Sequence, residues 1–207
     1  THAKGTLHNE ATVATWLKTY YTRTDPDSRS VLDDEFWASN RAGIVHRLDR
    51  GTSGVMICAK TEAAQTHLQK QFAGRNVKKT YLAVIQGELP EQSGLIDIPI
   101  ERNPKKPASF RAGINGKSAQ TYFDTIATDQ RYTLVELKPH TGRTHQLRVH
   151  LAYLNHPIVG DTLYNGQPAE RMMLHAQTLE LTLPCGERST FKAPVPDDFM
   201  HVETHHD

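Results

Sequence analysis

Apolar side chains recur at helical spacing in three segments of the chain, which predicts three helices. The first covers residues 11–21, and the second begins after Thr61, whose hydroxyl is suited to cap it, and ends at Gly74. The third covers residues 144–155, with Thr144 as the expected cap. The inward faces are expected to consist of Val13, Trp16, Leu17 and Tyr20 in the first helix, Ala64, Leu68 and Phe72 in the second, and Leu147, His150, Leu151 and Leu154 in the third.

Elsewhere the apolar pattern changes to a period of two, which is typical of strands. A short apolar run at 55–59 is predicted as a further, buried strand. Together these segments predict an α+β fold in one domain over residues 1–207, with a mixed, largely antiparallel β-sheet and flanking helices. The alternating segments are 81–89, 94–100, 118–128, 131–139, 173–184 and 189–194.

Residues 22–40 form a polar stretch that interrupts this regular pattern. The stretch is rich in Asp and Ser and is broken by Pro26. Such a composition predicts a loop, which we interpret as a possible insertion.

Composition excludes several broad classes of protein. The chain has 207 residues, 37% of them hydrophobic and 23% charged, which is an ordinary globular balance. It contains no apolar run of the roughly 18–20 residues that a membrane span needs, and its first residues lack the apolar stretch of a signal peptide. Cys58 and Cys185 are too few for a disulfide framework. We therefore expect a cytoplasmic protein with reduced thiols. We also expect a monomer.

Charge is segregated along the chain, although the formal net charge is only +1. Residues 41–79 carry eight Lys and Arg against Asp49 and Glu62, and residues 101–148 carry nine against four acidic residues. Basic stretches of this kind favour a polyanionic partner such as nucleic acid. Taken alone, they fit an unevenly charged but merely solvated surface equally well.

Asp49 is the carboxylate with the most suggestive surroundings. It lies between Arg47 and Arg50 and directly before a Gly-Thr-Ser-Gly turn. Neighbouring arginines favour the ionised form, so Asp49 could act as a nucleophile or general base. The alternative is an aspartate that accepts hydrogen bonds from the turn backbone, and local sequence alone favours that alternative.

Other candidate chemistry finds less support in the sequence. Ser53 lies in GTSG rather than in a Gly-x-Ser-x-Gly elbow, so it is best interpreted as a turn hydroxyl. His140, His145 and His150 are spaced by five, which does not bring them to one face of a helix or strand, and we expect no zinc site. Because no phosphate-binding glycine motif occurs, we also expect no nucleotide cofactor.

Two arginines and one tyrosine have both functional and structural interpretations. Arg143 and Arg148 bracket the start of the third predicted helix and could contact an anion or be solvated at the surface. Tyr81 follows the basic run at 75–79, so its ring could stack on a base, although a core position is the commoner outcome.

Three longer stretches resemble the RluA-type pseudouridine synthases in sequence, order and separation. The resemblance covers residues 41–194, and the combination of HRLDxxTSG with a later GRTHQLRVH is highly specific. The stretches are HRLDRGTSGVMICAK (46–60), KKTYLAVIQG (78–87) and KPHTGRTHQLRVHLAYLNHPIVGDTLY (138–164).

The resemblance implies that the protein isomerises a uridine already built into RNA. The C1′–N1 glycosidic bond breaks and C1′ rejoins the uracil through C5, which requires no cofactor and no metal. Large-subunit ribosomal RNA is the expected substrate by analogy, with transfer RNA second. A catalytically silent RNA-binding module on the same scaffold is the alternative from another class.

The resemblance also assigns roles to individual residues. It implies that Asp49 is the catalytic aspartate, acting either by covalent attack or by removing a sugar proton, and that Arg143 pairs with it. It implies that Tyr81 stacks on the uracil, that Leu147 lines the uracil pocket and that Arg47 fills the stack which the target base leaves. The side chains expected to contact RNA in addition are Arg50, Arg75, Lys78 and Lys79.

The sequence departs from the family pattern at its beginning. Relatives of this type carry an earlier strand with a Lys-Pro-Gly motif, and many carry an S4 RNA-binding domain. We find neither in these residues, so we expect a catalytic domain without that first strand.

Overall fold

The computed structural model of the chain describes residues 12–24, 41–129 and 131–202. Three α-helices form in these residues, at Val13–Thr24 (α1), Glu62–Ala73 (α2) and Gln146–Tyr153 (α3). The strands are Ser53–Gly54 (β1), Lys78–Gln86 (β2), Ser93–Asp97 (β3), Ile100–Arg102 (β4), Phe110–Ala112 (β5), Gln120–Thr128 (β6), Tyr132–Pro139 (β7), Leu174–Thr182 (β8) and Arg188–Lys192 (β9). Short 3-10 turns lie at Arg41–Gly43, Thr162–Tyr164 and Asp197–Val202.

Seven of the described strands form one mixed sheet. Its order is β1-β8-β2-β7-β6-β3, and β9 pairs with β8. The β2–β7, β7–β6 and β6–β3 pairs are antiparallel, whereas β1 runs parallel to β8. β4 and β5 form a separate antiparallel hairpin that the sequence pattern did not reveal. The α+β class with a mixed, largely antiparallel sheet is confirmed.

The chain divides into two compact units. The first contains the described residues up to Arg50 together with Met56–Val77 and Glu180–Thr190, and the second contains Gly51–Val55, Lys78–Leu179 and the described residues from Phe191 onward. The second unit holds the larger apolar core, built mainly by β2, β7 and α3 and by Met172–Leu174 at the start of β8. The single catalytic domain over residues 1–207 stays a prediction.

Helix α1 in the first unit buries only part of the predicted apolar face, namely Leu17 and, partly, Val13. Leu17 is buried with Ala42 and Ile44, but Trp16 and Tyr20 are 60% and 45% exposed. Their rings stack on each other instead, with centroids 5.2 Å apart. The prediction that both rings face inward was wrong, because a four-residue spacing fits two neighbouring stripes of a helix equally well.

Helix α2 begins and ends where the sequence predicts. Thr61 is the N-cap, and its hydroxyl oxygen accepts a hydrogen bond from the Ala64 N–H at 3.2 Å. Gly74 is the C-cap, and Leu68 is buried as expected. The same helix also buries Gln71, which hydrogen bonds the backbone of β8.

Two local predictions near α3 and β1 were wrong. The N-cap of α3 is His145, in the left-handed conformation with φ of 56°, rather than Thr144, and no side chain caps this end. Residues 55–59 do not form the predicted strand: the two-residue β1 ends at Gly54, just before them, and Cys58 makes only an isolated bridge to Ile44. Of the polar stretch at 22–40, residues 22–24 belong to α1, and residues 25–40 lie outside the described part of the chain.

Candidate active site

The segment that carries Asp49 is held by backbone contacts within the first unit. The Ala59 N–H donates to the Gly43 carbonyl at 2.8 Å, and the Ile57 N–H donates to His46 Nε2 at 3.0 Å. The His46 ring stacks on Phe72 of α2, with centroids 4.7 Å apart. The chain is therefore fixed just before Asp49, although this segment is neither helix nor strand.

Asp49 itself is half-buried at the end of this segment. The arginines on either side of it in sequence, Arg47 and Arg50, are both exposed. The segment therefore combines a partly desolvated carboxylate with two guanidinium groups that solvent and a polyanion can reach.

The turn that follows Asp49 is fastened to β8 in the second unit. Ser53 and Gly54 pair in parallel with His175 and Ala176. Gly54 has φ of 119°, and a Cβ atom there would lie 2.2 Å from the Ala176 carbonyl oxygen. Glycine is therefore required at this position for the close approach of the two backbones.

The Ser53 side chain makes contacts that sequence reasoning missed. Its hydroxyl oxygen accepts a hydrogen bond from Arg171 Nη2 at 2.9 Å and lies 2.9 Å from His175 Nδ1. The pKa of His175 is lowered, chiefly by burial, so the neutral ring can accept a hydrogen bond from the Ser53 hydroxyl at Nδ1. His175 lies 122 residues away in the chain, and no local pattern could have indicated it.

Tyr81 and Leu147 both belong to the second unit and border its main core. Tyr81 lies on β2 opposite Leu137 of β7, and its half-buried ring packs against the apolar cluster. Leu147, in the first turn of α3, is 7% exposed and is part of the same cluster. A central strand and a helix therefore set the positions of both side chains.

Arg143 lies in the loop between β7 and α3. Its Nε donates to the Ser118 carbonyl at 3.0 Å, and its backbone N–H donates to Gln146 Oε1 at 3.0 Å. The side chain is partly exposed. Asp49 belongs to the other unit, so the pairing of Arg143 with Asp49 stays a prediction.

Lys79 differs from the other residues of the basic run at 75–79. Its Nζ donates to the Thr141 carbonyl at 3.4 Å, at the start of the loop that carries Arg143. Burial lowers the pKa of Lys79 to about 8. Arg75, in the first unit, and Lys78, in the second, are both exposed. A phosphate contact therefore remains a prediction for all three, with Arg75 and Lys78 the more accessible.

Arg148 has neither of the roles that the sequence suggested. It is buried and forms an ion pair with the buried carboxylate of Asp161. The prediction that Arg148 contacts an external anion or is solvated was wrong. The sequence could not reveal this, because Asp161 follows α3 in an irregular segment without any periodic pattern.

The part of the chain that the structure describes lacks both a metal site and a membrane-spanning helix. It contains no group of three or more His, Cys, Asp or Glu side chains placed to hold a metal ion. None of its helices is both long enough and apolar enough to cross a membrane. Cys58 and Cys185 are free thiols, and burial raises the pKa of Cys58 to about 11, which keeps that thiol protonated.

Comparison with known families and sequences gives one consistent result. The family model described as RNA pseudouridylate synthase matches residues 14–153. Ribosomal large subunit pseudouridine synthase D of Xanthomonas campestris pv. campestris is 40% identical over 187 residues, which cover 82% of this chain and 56% of that protein. The protein of the same name from Vibrio cholerae is 40% identical over 179 residues, covering 78% and 55%. The chain thus spans about half the length of the curated relatives it matches.

Solved structures of human proteins show the same fold. Human RNA pseudouridylate synthase domain containing 1 is similar with a TM-score of 0.68 and 30% identity, covering 79% of this chain and 76% of that one. Human RNA pseudouridylate synthase domain containing 4 is similar with a TM-score of 0.65 and 29% identity, covering 77% and 73%.

Proposed function

Because the chain belongs to the RNA pseudouridylate synthase family, we propose that it isomerises specific uridines in structured RNA to pseudouridine. The observation that carries the proposal is that the matched segment, residues 14–153, includes Asp49, Tyr81 and Arg143. The C1′–N1 bond breaks, the uracil turns, and C1′ bonds to C5. The proton that C5 loses is balanced by one gained at N1, so the reaction consumes no oxidant, reductant or water.

Asp49 is proposed as the group that acts on the nucleoside. Either of its possible roles, covalent attack or removal of a sugar proton, needs an anionic carboxylate held near C1′. The backbone contacts of its segment and the tight turn after it supply that rigidity. Arg143 is proposed as the guanidinium that pairs with this carboxylate.

Tyr81 and Leu147 are proposed to hold the uracil. A planar ring can stack on any base. The position of Tyr81 is set by β2, whose backbone is held by its pairing with β7 from Tyr81 to Gln86. Leu147 offers an apolar contact from the first turn of α3. Neither side chain needs a charge for this role.

The proposed reaction requires the target base to leave its helix. Flipping a nucleotide costs a few kcal/mol, and an arginine side chain can recover part of that by stacking in the vacated space. Arg47 is exposed and near Asp49 in sequence, which supports this role for it. Arg50, Arg75, Lys78 and Lys79 are proposed to contact the RNA backbone.

Large-subunit ribosomal RNA is the proposed substrate. The support is that two relatives of about 40% identity carry that substrate in their names. Transfer RNA is the alternative substrate. We further propose that the protein acts in the cytoplasm, which its two free thiols fit, and that it is a monomer.

The test incubates the purified chain with unmodified transcripts of large-subunit ribosomal RNA and of transfer RNA, and measures pseudouridine by mass spectrometry of the nucleosides. Asp49→Asn removes the charge at almost constant side-chain volume, and the variant is expected to form no pseudouridine. Asp124→Asn, at an exposed surface ion pair, serves as the matched control and is expected to keep full activity.

The other outcomes discriminate between the candidates. Pseudouridine in transfer RNA alone would favour the alternative substrate. Binding of RNA without any pseudouridine would favour the silent RNA-binding module. Activity of Asp49→Asn equal to that of Asp124→Asn would overturn the role of Asp49.

A further inference from the structure

The loop that carries Arg143 is anchored by a side chain of the following helix. The loop connects β7, which ends at Pro139, to α3, which begins at Gln146. Gln146 is 4% exposed, and its amide turns back towards the loop rather than outward. This one amide joins two residues of the loop to β6.

Two backbone partners determine the orientation of the Gln146 amide. The Arg143 N–H can only donate and lies 3.0 Å from Oε1, whereas the Gln120 carbonyl can only accept and lies 2.9 Å from Nε2. The Thr141 hydroxyl donates to Oε1 at 2.6 Å, and Thr121 Oγ1 accepts from Nε2 at 3.0 Å. All four hydrogen-bonding positions of the amide are therefore filled.

The hydrogen bonds continue from Thr121 to the buried His150 and from there to the Ile98 carbonyl, and the donor and acceptor of each bond can be assigned. His150 Nε2 lies 3.0 Å from the Ile98 carbonyl, which can only accept, so the ring donates there. Burial lowers the pKa of His150 and keeps the ring neutral, and its Nδ1 then accepts from the Thr121 hydroxyl at 3.0 Å. The Thr121 oxygen is left to accept from Gln146. One arrangement of protons satisfies the whole chain of groups.

We infer that Gln146 is the positioning residue for Arg143. It joins the Arg143 N–H and the Thr141 hydroxyl to β6, so the loop backbone keeps one conformation. The contact of Arg143 Nε with the Ser118 carbonyl directs the guanidinium only while that backbone is held. The inference rests on the proposed function, in which this guanidinium must meet the catalytic carboxylate.

A general stabilising role is the alternative, because any buried and fully bonded amide contributes to stability. Gln71 offers a matched control in the first unit. It is 8% exposed, accepts from the Thr182 N–H at 2.8 Å and donates to the Thr182 carbonyl. Its contacts involve no residue of the Arg143 loop.

The test compares Gln146→Met with Gln71→Met. Both substitutions roughly keep the side-chain volume and remove buried hydrogen bonds, so both lower the melting temperature. At a temperature where both variants are fully folded, only Gln146→Met is expected to slow single-turnover isomerisation at saturating protein, by about tenfold or more. RNA affinity is expected to stay within about threefold, since phosphate contacts dominate it.

A conservative pair at Thr141 provides the rescue. Thr141→Ser keeps the hydroxyl that donates to Gln146 and is expected to keep the single-turnover rate within about threefold. Thr141→Val has the same shape without the hydroxyl and is expected to be slow. Thr141→Val removes the hydrogen bond to Gln146 and also the one that the Thr141 oxygen accepts from the Gln120 N–H at 2.9 Å. Combined with Gln146→Met, it is expected to slow the reaction by less than the product of the two separate factors, because the two substitutions share the hydrogen bond between Thr141 and Gln146.

Hydrogen exchange of the loop amides decides the inference independently of catalysis. Gln146→Met is expected to speed exchange in residues 140–145, whereas Gln71→Met leaves those residues unchanged. Unchanged exchange in Gln146→Met, or equal slowing of isomerisation by Gln71→Met, would overturn the inference. If the unsubstituted chain forms no pseudouridine, the proposed function fails, and the exchange comparison still shows whether Gln146 holds the loop.

Discussion

Arg148 and Asp161 form a bidentate ion pair inside the second unit. Arg148 Nε lies 2.7 Å from Asp161 Oδ2, and Nη2 lies 2.8 Å from Oδ1. The two side chains are only 8% and 2% exposed, and the guanidinium carbon lies 4.9 Å from the centre of the Tyr164 ring. The pair ties α3 to the segment that follows it, so its charge serves the fold rather than an external anion.

Asp161→Asn is expected to lower the free energy of unfolding by about 3–5 kcal/mol, because it leaves a buried guanidinium without its counter-charge. Denaturant unfolding measures the change. Asp124→Asn removes a carboxylate from the exposed pair with Lys138 and is the control, with an expected decrease of about 1 kcal/mol or less. Equal decreases in the two variants would contradict this account of the buried pair.

Lys79→Met is expected to raise the free energy of unfolding at pH 7, by about 1–3 kcal/mol. Burial lowers the pKa of Lys79 to about 8 in the folded state, against 10.5 for an ordinary lysine. The folded chain therefore carries a costly buried ammonium below pH 8, and that cost disappears as the pH rises from about 8 to above 10.5. Unfolding measured at several pH values should show the increase at pH 7 and its decline above pH 8.

Lys78→Met is the matched control for Lys79→Met. Lys78 lies next to Lys79 on β2 but is exposed, so its ammonium remains hydrated in the folded chain. The substitution is expected to change stability by about 0.5 kcal/mol or less. If Lys78→Met raised the free energy of unfolding at pH 7 as much as Lys79→Met, removal of any positive charge would stabilise the chain, and burial of Lys79 would not be the cause.

Tyr81→Leu is expected to abolish isomerisation while RNA affinity is nearly kept. The substitution removes the planar ring that we propose to stack on the uracil, but no charge that binds phosphate. Single-turnover rates at saturating protein, together with binding curves, separate the two effects. Tyr81→Phe keeps the ring and tests the hydroxyl alone. A tenfold or so weaker affinity in Tyr81→Leu with an unchanged rate would reverse the assignment.

Arg75→Ala combined with Lys78→Ala is expected to weaken RNA binding and to flatten its dependence on salt. The slope of log affinity against log salt should fall by about 0.7–0.9 for each phosphate that the protein no longer neutralises. Turnover of bound RNA should change much less. Lys18→Ala combined with Lys192→Ala removes two charges from exposed positions outside the basic stretches and is the control. An unchanged slope in the first variant would show that the basic run is only solvated.

Periodicity in the sequence predicted most of the secondary structure, because helices and strands depend mainly on residues that are close together in the chain. The cap of α2 at Thr61 and the strands β2, β6, β7 and β8 lie close to their predicted bounds. The resemblance likewise singled out Asp49, Tyr81 and Arg143, since their motifs are contiguous in the chain. Those predictions needed no knowledge of which segments meet.

Contacts between distant segments were decided only by the tertiary structure. Ser53 meets His175 and Arg148 meets Asp161, and no spacing in the sequence indicates either pairing. His145, in the left-handed conformation, is the N-cap of α3 in place of the expected Thr144, and its Nδ1 lies 2.8 Å from the hydroxyl of the distant Tyr164. The role of a side chain in this protein depends on the charged group or carbonyl that lies next to it in the folded chain. The sequence does not show which distant residues become neighbours on folding.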